Sequence, residues 1–162
     1  MPSFTEIRRP SPNFSATPAH EKLGVCFHHS VMDFEATILH MLSPESRVSY
    51  HVLIGADGTR ATLVPDDHVA WHAGVSSFHG RNNCNAFLLG VSFAVDTRTT
   101  PLTTAQIASA LDWLAPRWLR HGWTPACMTD HRQVAPGRKD DLAPREWLRL
   151  LAAISEHFLP VV

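Results

Sequence analysis

Leu23-Gly24-Val25-Cys26-Phe27-His28 is an apolar run without helical spacing, and its length suits a strand buried on both faces. A strand of that kind needs covering layers, and the rest of the chain supplies them. Leu88 to Val95 is a second run of the same type and predicts another inner strand. Tyr50 to Ile54 and Arg60 to Val64 flank Gly55-Ala56-Asp57-Gly58, a connection that closes a β-hairpin. Alternation along the first arm of that hairpin puts Tyr50, Val52 and Ile54 on one face and His51 and Leu53 on the other.

Between these strands lie helical signals. Asp33 can cap a helix running to about Leu42, where Ser43-Pro44 stops it. Thr103 with Gln106 forms a capping box, and Ile107, Leu111, Leu114 and Trp118 recur at helical spacing toward His121-Gly122. Pro116 is expected to kink or divide that helix. Pro144 suits the first turn of a last helix carrying Trp147, Leu148, Leu151, Ile154 and Phe158. The pattern predicts an α/β sheet covered by helices. Residues 1–20, with four prolines among Ser, Thr and Asn, read as an extended arm docked on a single domain over residues 21–162. The Gly-, Ser- and Asn-rich stretch from Val69 to Asn85 is a candidate substrate wall.

Fourteen basic residues against fifteen acidic ones leave a net charge of −1, without the basic surplus that holds nucleic acid by its phosphates. No apolar stretch could span a bilayer, and Met1 to Ser15 contains no apolar core for a signal peptide, so the expected address is the cytoplasm with no membrane partner. Cys26, Cys84 and Cys127 are odd in number and form no C-x-x-C pair, which predicts small buried thiols and no disulfide frame.

Eleven histidines are the oddity of composition, because imidazole is the commonest metal ligand. A catalytic zinc ion needs three protein ligands and an open fourth position. His28 and His29 end the first strand, while Asp130-His131 and Asp140-Asp141 lie in the loop before the last helix. Adjacent strand residues point to opposite faces, so only one of His28 and His29 can enter a given site.

Five ordered motifs carry a resemblance: Phe27-His28-His29-Ser30, Ser49-Tyr50-His51, Ala70-Trp71-His72-Ala73-Gly74, Arg81-Asn82-Asn83-Cys84-Asn85, and the segment from Asp130-His131 through Ala135-Pro136-Gly137-Arg138-Lys139 to Asp140-Asp141. In this order they resemble the zinc-dependent N-acetylmuramoyl-L-alanine amidase superfamily, which includes the anhydro-muropeptide recycling amidases, phage lysozyme-type amidases and peptidoglycan recognition proteins. The resemblance implies a central mixed β-sheet with flanking helices, zinc as cofactor, and hydrolysis of the amide between N-acetylmuramic acid and L-alanine. It places the metal ligands at His28, His131 and Asp141, with His29 and Asp140 as neighbours. Lys139 matches the lysine that faces the developing oxyanion. Recycling amidases carry a glutamate in the strand matching Leu88 to Val95, where this chain has Gly90-Val91-Ser92; Tyr50 matches the tyrosine of the lysozyme-type branch and takes the orienting or proton-handling role. Trp71, His72, Arg81 and Asn85 are the expected contacts to sugar and peptide stem. The expected partners are soluble peptidoglycan fragments, met by a monomer. A binding module without activity and a leaderless enzyme acting on intact wall are the alternative readings.

Overall fold

The structure, a computed structural model, describes residues 3–16 and 21–159. Its strands in chain order are β1 (Glu6–Arg8), β2 (Phe14–Ser15), β3 (Gly24–His29), β4 (Val52–Ile54), β5 (Arg60–Thr62), β6 (Val69–Ala70), β7 (Ser77–Phe78), β8 (Arg81–Asn82), β9 (Leu88–Phe93) and β10 (Met128–Asp130). The helices are α1 (Phe34–Leu42), α2 (Thr104–His121), α3 (His131–Val134) and α4 (Pro144–Phe158). Six strands form one mixed sheet in the order β1-β5-β4-β9-β3-β10, in which only the β4–β5 hairpin pair is antiparallel. The two apolar runs become β3 and β9, the inner pair, and every residue of both is buried.

Alternation on these strands sorts side chains between two layers. Val25, Phe27, Val91, Phe93, Val52 and Ile54 meet Trp113 and Leu114 of α2 and Trp147, Leu150 and Ile154 of α4 in the larger core. Leu53 and Ala61 face the other way, against Ile38 and Met41 of α1. The caps behave as the sequence predicts: Asp33 accepts from Ala36 N, and Thr103 with Gln106 closes both halves of a capping box. Gly122 ends α2 in the left-handed region, at φ 64°, where a side chain would be strained.

Four expectations need correction. Pro116 does not divide α2, which runs unbroken from Thr104 to His121. The arm is not merely docked: β1 joins the central sheet as a parallel edge strand beside β5, and β2 pairs with β6; residues 1–2 and 17–20 of the arm lie outside the described residues. The hairpin strand begins at Val52 rather than Tyr50. His51 breaks the regular ladder by accepting from Gly90 N on its own Nδ1, while its backbone N donates to Gly90 O. Released from the alternation, Tyr50 packs with the Leu53 layer and not with Val52 and Ile54. Cys26 and Cys84 are buried free thiols, whereas Cys127 is only half-buried.

Candidate metal centre

The carboxyl ends of parallel strands are where α/β sheets collect ligands. His28 is the penultimate residue of β3, and His131 follows the neighbouring β10 directly. Asp130 makes the turn between β10 and α3: its Oδ1 accepts from Gln133 N, and its Oδ2 accepts from Leu142 N. That second bond draws the far end of the loop back, so Asp141 arrives beside the two histidines. Asp141 Oδ2 also accepts from the backbone N of His29.

Three ligand atoms converge. His28 Nδ1 lies 3.0 Å from His131 Nδ1, while Asp141 Oδ2 is 3.5 Å from the former and Asp141 Oδ1 is 3.4 Å from the latter. His28, His131 and Asp141 are all buried, at 1%, 6% and 5% exposure. The outer hydrogen bonds decide the tautomers. His72 Nε2 faces the Leu88 carbonyl at 3.0 Å and must donate to it, which leaves His72 Nδ1 to accept from His28 Nε2 at 3.0 Å. His131 Nε2 donates to the Ala73 carbonyl at 3.2 Å. In the neutral imidazoles both Nδ1 atoms therefore carry lone pairs that point at one another and at a carboxylate. Three acceptors without a donor between them call for a cation, and two histidines with one carboxylate are a normal zinc set that leaves a fourth position open.

Protonation states agree with that use. Burial lowers the pKa of His28 to about 4 despite Asp141, and burial also takes His72 well below the ordinary imidazole range. His29 points to the opposite face, where Thr97 N donates to its Nδ1 at 3.1 Å.

A cleft of about 300 Å³ opens on the centre, lined by Tyr50, Trp71, His131, Lys139 and Asp141 with Val31, Met32 and Val48. A roomier hollow near Ile7, Phe14 and Pro65 has no converging ligand atoms among the described residues. The Tyr50 ring sits 5.2 Å from that of His28 between centroids, and burial raises the phenol to about 12. Trp71 is held in the cleft wall by Nε1 donating to Ser15 Oγ and by its backbone N donating to Ser49 Oγ. Lys139 is exposed at the mouth.

Of the remaining expected contacts, His72 also lines the cleft, whereas Asn85 and Arg81 lie outside it. His72 is buried behind His28 in the hydrogen-bond chain described above. Asn85 Oδ1 accepts from the backbone N of both His72 and Ala73, bracing that loop. Arg81 lies over the Phe87 ring, in a hollow with Leu23, Phe78 and Cys127, and does not line the cleft. Sequence reasoning missed Gly90, although an isolated glycine in an apolar strand signals close approach of another group. A Cβ there would come within 2.5 Å of His72 Cγ.

Fold and centre together define a metal-dependent hydrolase built on a mixed α/β sheet. A family model for N-acetylmuramoyl-L-alanine amidase matches residues 19–145, and the chain belongs to that family. The 1,6-anhydro-N-acetylmuramyl-L-alanine amidase AmpD of Salmonella typhimurium SL1344 is 33% identical, covering 95% of this chain and 94% of the relative. AmpD of Escherichia coli K12 is 37% identical over 76% of this chain and 64% of its own length. Among solved structures, a selenomethionine derivative of AmpD superposes with a TM-score of 0.80 at 29% identity, covering 92% of this chain and 94% of that one.

Proposed function

We propose that this protein hydrolyses the amide joining the lactyl group of N-acetylmuramic acid to L-alanine in soluble anhydro-muropeptides. The observation that carries this reading is the convergence of His28 Nδ1, His131 Nδ1 and the Asp141 carboxylate at the floor of a cleft. Zinc held by those three residues supplies a water of lowered pKa and a Lewis acid for the amide carbonyl.

The chain's own groups do the rest. Lys139, two residues from Asp141, brings a positive charge to the mouth of the cleft, where it stabilises negative charge developing on the carbonyl oxygen. Tyr50 keeps its proton at neutral pH, since burial raises the phenol to about 12, so it acts as a hydrogen-bond donor that orients an oxygen rather than as a base. Trp71 offers an apolar wall to sugar or stem. His72 and Asn85 serve from behind: the first fixes the tautomer of His28, and the second holds the loop that carries both His72 and Ala73. The resemblance to recycling amidases supports action in the cytoplasm.

The test is mass spectrometry of a purified anhydro-muropeptide incubated with zinc-loaded protein and, in parallel, with His131→Ala. Release of free peptide and sugar by the wild type alone is expected. Binding without cleavage by the wild type would replace the amidase with a binding module.

A further inference from the structure

Ser92 is a fully buried residue on β9 whose hydroxyl has no hydrogen-bond partner. Leaving a buried hydroxyl unpaired costs stability. Its side chain lies on the metal-centre face of the sheet, flanked in register by His28 on β3 and Leu53 on β4. Leu53 is apolar. His28 has both nitrogens committed, Nε2 to His72 and Nδ1 to the metal centre. The phenol of Tyr50 is a polar neighbour on the same side. Ser92 stands close enough to pull the phenol's pKa down against the burial that raises it, though the two hydroxyls do not meet hydrogen-bond geometry.

Resting on the amidase reading, we propose that Ser92 is a positioning residue for Tyr50: in the working enzyme its hydroxyl donates to the phenol oxygen and leaves the phenol's own proton directed into the cleft. A phenolic hydroxyl turns about its C–O bond, and a donor on its inner side fixes which way its hydrogen points. A donated hydrogen bond also polarises the O–H it feeds, strengthening the bond made to substrate. The pair moves no net charge and needs no carboxylate in the strand.

Tyr50 is the chain's one tyrosine, so a ring-labelled sample gives a single phenol carbon resonance by NMR. In the zinc-loaded protein, Ser92→Ala is expected to shift that Cζ resonance, and Ser92→Thr, which keeps the hydroxyl, to restore it. Ser92→Ala should lower kcat about five- to tenfold, the scale of one hydrogen bond, with KM and zinc affinity unchanged. In a Tyr50→Phe background it should cost nothing further. An unmoved resonance in Ser92→Ala, or losses that multiply with Tyr50→Phe, would overturn the proposal. Wild-type protein that cleaves nothing would sink the amidase reading, while the resonance would still decide whether Ser92 holds Tyr50.

Discussion

The imidazole of His72 occupies the space that a side chain on Gly90 would need, since a Cβ there would come within 2.5 Å of His72 Cγ. The contact ties β9 to the metal centre through a neutral ring that bridges Leu88 O and His28 Nε2. Gly90→Ala must therefore push His72 away and leave the His28 tautomer unfixed. Outer-shell partners of this kind are worth roughly 10–100-fold in metal affinity. We expect Gly90→Ala to weaken zinc binding by that factor in a chelator competition titration, and an unchanged affinity would mean that His72 does not hold His28.

Zinc should stabilise the fold because it ties His28 to a loop carrying His131 and Asp141 far along the chain. At free zinc about 1,000 times Kd the gain is about 4 kcal/mol. Thermal melts of wild type with zinc and with chelator should differ accordingly, whereas Asp141→Asn should melt alike in both. A zinc shift retained in Asp141→Asn would remove that carboxylate from the ligand set.

Acid should destabilise the metal-free protein in a defined window. Burial lowers the pKa of His51 from its ordinary 6.5 to about 4. Between those values the unfolded chain binds the proton and the folded one does not, so stability is full above pH 6.5 and is lost as pH falls toward 4. The loss is on the order of 3 kcal/mol for a shift of this size. Urea unfolding at pH 7 and pH 5 checks it: His51→Gln should show a shallower pH dependence than wild type, and an equal slope would assign the effect to other buried groups.

Kinetics should separate the cleft wall from the far side of the loop. Trp71→Ala is expected to raise KM several-fold with zinc still bound. Arg81→Ala, which loses a contact with Phe87 outside the cleft, should leave KM unchanged. A raised KM in Arg81→Ala would mean that substrate reaches beyond the cleft.

What the sequence made legible follows from local rules. The two apolar runs could only be inner strands, and a capping box fixes a helix start whatever surrounds it. At the end of β3, where alternation separates neighbours, His28 turns its Nδ1 to His131 and His29 its Nδ1 to Thr97. The misreadings arose where a distant group overrode a local pattern. His51 bonding to Gly90 released Tyr50 from strand alternation, and pairing with β5 made a strand of three residues in a proline-rich arm. The position of His72 depends on space left by a glycine eighteen residues later, which no short-range pattern encodes.

The separation of His28 from His131 by 103 positions bears on how the protein is made. A chain emerging from the ribosome at roughly 5–20 residues per second exposes β3 early, yet its histidine then has neither of its two companions. Until Asp141 clears the exit tunnel no partly made chain can hold the ion through all three ligands. Activity therefore cannot arrive before Asp141 has emerged, and a message truncated anywhere before that codon yields protein lacking a ligand of the centre.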